Sequence, residues 1–186
     1  MDTVNQRLDS VAQVLPAIAQ RARAWMSPGS VALDGGALFV GHEPTVAPEY
    51  YRVRIFPPAP RAWFDEFEAR LSVSIPLEYR RVLETVNGCS CIGLDLFGLA
   101  GSTLLDRRSH RPLQLALAVS GWAAEYGRAG EFHFGGAPWT EDVNCGYFWG
   151  SDGPFAALPS GRVLHTWRSL PDLLAEEIAR LEGAVS

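Results

Sequence analysis

Lysine is missing from this 186-residue chain, and all 16 of its basic side chains are Arg. That bias reads as a GC-rich codon preference. Against the arginines stand 21 Asp and Glu, for a net charge of -5. Such a balance argues against sequence-independent binding to nucleic acid and suits a basic protein partner. Cysteine is scarce. Cys89, Cys91 and Cys145 are too few, and odd in number, for a disulfide scaffold. The Cys-x-Cys pair could be drawn around a metal with Cys145 and His133, but it lacks the Cys-x-x-Cys spacing of structural zinc sites. Buried thiols are the reading adopted, and no metal or cofactor is expected. No apolar run approaches the roughly 18 residues of a membrane span. The opening MDTVNQRLDS has no basic region followed by an apolar one, so it does not read as a secretory signal. A cytoplasmic location, away from membranes, is expected.

Catalytic motifs are missing as well. There is no Gly-x-Ser-x-Gly elbow, no His-Glu-x-x-His and no phosphate-cradling Gly-x-x-x-x-Gly-Lys loop. Gly135-Gly136 follows a short strand, yet no helix opens after it, which excludes a nucleotide loop. His42 and His110 fall in polar loops and should be exposed. His133 and His165 fall on strands among aromatics and read as structural histidines. Cys145, His165 and Asp142 could be drawn as a thiol triad, but sequence alone does not bring them together.

What is present is an ordinary globular chain, 47% hydrophobic and 20% charged, long enough for one domain with a real core. Residues 3–26 carry Val4, Leu8, Val11, Leu15, Ile18, Ala22 and Trp25 at steps of three and four. That is an amphipathic helix which Pro16 should kink or split. Val31–Leu33 and Ala37–Val40 flank Asp34-Gly35-Gly36 as a hairpin. Tyr51, Val53 and Ile55 alternate with Arg52 and Arg54, as in a strand with one wet face. Pro57-Pro58-Ala59-Pro60 then breaks the pattern. It divides an N-terminal elaboration, residues 1–59, from a core domain, residues 60–186. Pro60 opens a helix with Trp63, Phe64, Phe67 and Leu71 on one side, which should pair with the next as a helical hairpin. Leu113–Tyr126 reads as a helix from its Leu, Ala and Gln content, against an alternation that also suits a strand. Short aromatic strands follow around Phe132–Phe134, Tyr147–Trp149 and Val163–Trp167. Ser169 and Asp172 cap a last helix striped by Leu170, Leu174, Ile178 and Leu181.

Ile75–Leu99 is the stretch around which the rest is organised. Pro76 suits a first helical position and Glu78 the first turn. Tyr79, Val82, Leu83 and Val86 form one apolar stripe, and Asn87-Gly88 should end the helix. Ile92, Leu94 and Leu96 then alternate as one strand, and Gly98 marks a bend or a close approach of another backbone. Ile75, Pro76, Tyr79, Leu83, Asn87, Gly88, Leu96, Phe97 and Gly98, together with Trp167-Arg-Ser-Leu-Pro-Asp-Leu-Leu near the C-terminus, resemble the SUKH (Smi/Knr-like) superfamily. The resemblance covers roughly Pro60 to Glu182, by motif order rather than identity. It implies an α+β fold, an antiparallel or mixed sheet with helices packed on one side. It also implies a binding module rather than an enzyme. The leading expectation is an immunity protein that neutralises a cognate bacterial toxin by direct binding. The alternative is a regulatory or scaffold module with an endogenous partner, and an enzyme using the Cys145/His165 region ranks last.

The partner-binding residues expected are Trp139, Glu141, Asp142, Asn144 and Asp152. From Ala129 to Gly161 there is no fixed positive charge but there are four acids, Glu131, Glu141, Asp142 and Asp152. An aromatic anchor with a charged surround is what binding hot spots contain. An acidic patch would steer a basic, nucleic-acid-targeting toxin.

Overall fold

The computed structural model describes residues 2–27, 31–99 and 112–184; His110 lies outside them. Among the described residues nine strands form a single sheet in the order β1 to β9, with every neighbouring pair antiparallel. They are β1 (Val31–Asp34), β2 (Ala37–His42), β3 (Tyr51–Ile55), β4 (Cys89–Cys91), β5 (Leu94–Leu96), β6 (Phe132–Pro138), β7 (Asn144–Gly150), β8 (Gly153–Ala157) and β9 (Val163–Thr166). The helices are α1 (Asp2–Ala12), α2 (Pro16–Ala24), α3 (Arg61–Leu71), α4 (Leu77–Leu83), the run α5 (Leu115–Leu117) and α6 (Ala123–Glu125), and α7 (Leu170–Ala184). This is the α+β architecture expected, with the sheet antiparallel, but the helices lie on both of its faces rather than on one, because successive residues of β7 bury against different helices. No described helix is long and apolar enough to cross a membrane.

One core joins the two halves of the chain. Leu8, Val11 and Ile18 of the N-terminal helices, and Leu15 between them, are buried with Leu38, Val53 and Ile55, and in the same cluster lie Phe64, Tyr79, Leu83, Leu174 and Ile178. Strand alternation sorts the helices by face. Tyr147 of β7 points at α7, donating to Glu177. Its neighbour Phe148 points the other way and is buried with Ala123 and Tyr126 of the α5–α6 run. So α7 covers one face, and the shorter run covers the other only over its β6–β8 end.

Pro16 splits the N-terminal helix as expected, taking the first position of α2. The α5–α6 run is helical as expected, with a π-helical stretch at Ala118–Trp122 where Ser120 Oγ donates to the Ala116 carbonyl at 2.7 Å. Ser169 and Asp172 cap α7, and Glu78 adds to that cap by accepting the Leu170 N–H at 3.0 Å.

Three local expectations are corrected. Pro76 is the N-cap, not the first helical residue: its extended ψ of 136° leaves its carbonyl to accept the Arg80 N–H. The stretch Ile92–Leu96 is not one strand. Cys91 pairs with Leu94, so β4 and β5 form a two-residue hairpin with Ile92 at φ +45° and Gly93 at φ +93°. A β-branched residue at positive φ is unusual, and alternation hid the turn because Ile92 looks like strand material. Finally, α4 stops at Leu83 with Glu84 as its C-cap, before Asn87-Gly88 is reached.

Asn87-Gly88 does a different job. The Asn87 side chain brackets the Leu99 backbone, accepting its N–H at 2.6 Å and donating to its carbonyl at 2.9 Å. Gly88, at φ +84°, lets the chain turn into β4 beside the Leu96 carbonyl and Pro112, where a Cβ would sit 2.7 Å from each. Tyr79 adds a third tie, its buried hydroxyl lying 2.5 Å from the Phe97 carbonyl and 3.0 Å from that of Phe134. These motif residues therefore hold the segment after α4 against β5 and β6.

Candidate functional site: a cleft and its hairpin rim

On the face opposite α7, the α5–α6 run leaves part of the sheet open. The register places Arg54, Ser90, Asp95 and Gly136 side by side across β3, β4, β5 and β6. They floor a cleft of about 820 Å³, within the range of ligand-binding cavities. One wall carries Glu49, Tyr50 and Tyr51; the opposite wall carries Trp122, Glu125 and Tyr126. Ile92-Gly93, Pro138 and Asn144 close one end.

The floor is pre-organised. Arg54 Nε donates to Ser90 Oγ at 3.2 Å. Arg52 is held by a salt bridge to Glu43 and lies over the Trp25 ring, 5.1 Å from its centroid. Under Tyr126 the buried His133 stacks on Phe148, with ring centroids 4.4 Å apart, and meets Tyr126 and Phe97 edge-on. Burial lowers the His133 pKa to about 4, against the raising influence of the Gly135 carbonyl beside Nε2. The ring is therefore neutral at pH 7. Nε2 donates to the Gly135 carbonyl at 3.0 Å, and the Ala118 carbonyl adds to that raising influence. Burial likewise pushes the Tyr126 hydroxyl up to about 12.

The β6–β7 hairpin forms the rim. Trp139 and Thr140 both donate their N–H to the Val143 carbonyl, at 2.7 and 3.0 Å, closing a tight tip. Trp139 is 36% exposed and the Arg180 guanidinium lies 5.0 Å from its ring centroid. Arg180 also donates to the Pro138 carbonyl at 2.9 Å and grips Glu177 with two hydrogen bonds. An ordered, half-exposed indole thus stands beside the exposed carboxylates of Glu141 and Asp142.

Of the five residues expected to bind a partner, four come together: Trp139, Glu141 and Asp142 at the tip, and Asn144 where the tip enters the cleft. Asp152 does not join them. It lies in the turn at the other end of β7, about 20 Å away over a seven-residue strand. The acidity of 129–161 is also diluted in space. Arg128 pairs with Glu131, and Arg180 arrives from α7.

The thiol triad is not formed. Cys145 is buried on β7 and its Sγ faces the Ala137 carbonyl. His165 lies on β9, opposite Ala156, which is itself opposite Tyr147, so two strand spacings, about 10 Å, separate it from the Cys145 strand. Its carboxylate neighbour is Glu176 at 3.6 Å, not Asp142. Burial raises the Cys145 pKa to about 11, which keeps the thiol protonated and unreactive. Among the described residues no three His, Cys, Asp or Glu converge as metal ligands. His42 is not a loop residue: it ends β2, stacked on Tyr51.

The cleft floor escaped sequence reasoning. The alternation of Arg52 and Arg54 pointed to a wet face, but nothing local said which strands would lie beside it. Comparison with family models, with curated proteins and with solved structures finds no match to this chain.

Proposed function

We propose that the protein is a non-enzymatic binding module of the SUKH type, acting as an immunity protein that neutralises a cognate toxin by occupying its surface. The observation that carries the reading is the hairpin tip. Trp139 is held out by Arg180 beside Glu141 and Asp142, a rigid aromatic anchor with exposed acids on a sheet scaffold. Binding hot spots are built from such anchors, and the acids suit a basic partner. The order of motifs from Ile75 to Gly98 supports the family assignment, and the ties of Tyr79, Asn87 and Gly88 give those residues a structural role. A cytoplasmic location follows from the same reading.

The test is protection. Each candidate toxin from the neighbouring genes is expressed in a sensitive host with and without the protein. The reading expects wild-type protein to restore growth and Trp139→Ala to lose much of that protection while folding normally. Failure of the wild-type protein to protect against any neighbouring toxin would favour an endogenous partner.

A further inference from the structure

We infer that the cleft is a receptor for a guanidinium-bearing segment of the protein partner; this rests on the partner-binding reading above. The two walls repeat one chemistry. Glu49 is followed in the chain by Tyr50 and Tyr51, Glu125 is flanked by Trp122 and Tyr126, and all six line the same cavity. Both glutamates are exposed. Of the two cations lining the cleft, Arg52 is paired with the Glu43 carboxylate and Arg54 donates to the neutral Ser90 hydroxyl, so the Arg54 charge is set against three lining acids, Glu49, Glu125 and Asp95, the last opposite Ser90 on the floor. A carboxylate next to an aromatic ring receives a cation twice over, through charge and through the ring face.

Arginine fits this better than lysine. Its planar ion stacks on a ring while its N–H edge still pairs with a carboxylate, and an ammonium cannot do both in one plane. The size points to a chain segment rather than a free ion. From β3 to β7 the cleft crosses four strand spacings, about 19 Å, which an extended segment of about six residues spans. The acidic tip at Glu141 and Asp142 continues the same charge along the rim.

The test uses the full chain and a fluorescein-labelled, capped hexa-arginine peptide, read by anisotropy at near-physiological salt. Hexalysine and hexaglutamate peptides are the comparisons. The inference expects saturable binding of hexa-arginine, at least ten-fold tighter than hexalysine, with none for hexaglutamate. A Glu49→Gln/Glu125→Gln double variant should weaken it at least ten-fold. A control double variant, Glu66→Gln/Glu84→Gln, alters exposed acids on α3 and just after α4 and should leave it unchanged. Equal loss in both double variants, or equal affinity for hexalysine, would mean diffuse attraction to an acidic protein and would overturn the inference. Absence of saturable hexa-arginine binding would overturn it as well. The two readings fail separately. If Trp139→Ala abolishes protection while the cleft double variant protects fully, the cleft inference falls and the function stands. If wild-type protein gives no protection, the function reading falls whatever the peptides do.

Discussion

The Tyr147 hydroxyl lies 2.5 Å from Oε2 of Glu177 and donates to it, inside the core between β7 and α7. Glu177 is only 4% exposed, and its charge is balanced by the two-pronged grip of Arg180. That grip raises the Arg180 pKa, fixing the guanidinium as a cation. Arg180 in turn lies over Trp139. A single chain of contacts therefore runs from the sheet core to the hairpin tip. Removing its inner link should show in stability: Tyr147→Phe leaves a buried carboxylate short of a donor and should cost about 1–3 kcal/mol. A denaturant midpoint unchanged from wild type would contradict this.

Removing the outer link should show in binding. Arg180→Met keeps an apolar stem under Trp139 but loses the charge and the bond to Pro138. It also strands Glu177, so some stability falls with it. The expected result is a toxin dissociation rate raised roughly ten-fold, about 1.4 kcal/mol, in protein that still melts cooperatively. An unchanged dissociation rate would show that Trp139 orientation does not matter.

Asn87 ties a different part of the fold. Asn87→Ala leaves the buried N–H and carbonyl of Leu99 without their partners and should destabilise by about 2 kcal/mol or more. Gly88→Val should cost about the same or more, since it puts a β-branched side chain at positive φ and against Leu96 and Pro112. Chemical denaturation of both variants checks this, and a wild-type midpoint in either would contradict the assigned role.

His133 sets a pH dependence. Its pKa is about 4 in the fold against an ordinary 6.5, so as pH falls the unfolded chain takes up the proton first. The stabilisation is fully present above pH 6.5, declines as pH falls from 6.5 to 4, and has no more to lose below 4. At about 1.4 kcal/mol per unit the window is worth about 3 kcal/mol. His133→Phe keeps the stacked ring and should flatten stability between pH 6.5 and 4. The same slope in both proteins would assign the effect elsewhere.

Sequence periodicity carried the elements well where a stripe or an alternation ran long, as in α3, α7 and β3. It failed where one residue contradicted its own propensity. Ile92 turns a hairpin at positive φ because tertiary pairing of Cys91 with Leu94 overrides its preference. Trp139, Glu141, Asp142 and Asn144 could be grouped from sequence because they share one loop. Asp152 was misplaced because a strand, invisible to charge counting, separates it from them. The cleft was not readable at all. Its floor joins residues 54, 90, 95 and 136, and only sheet register sets them side by side. Its walls come from a β2–β3 connection and a helix more than 70 residues apart.

The measurement that bears most directly on the partner-binding claim is the association rate of the protein with the toxin proposed as its partner, by stopped flow at low and at physiological salt. Asp142→Arg reverses one exposed charge at the tip without touching a buried contact. The account predicts association slowed roughly ten-fold at low salt, with the gap narrowing as salt screens the tip. Wild-type association by Asp142→Arg at low salt would contradict it and place the interface elsewhere on the molecule.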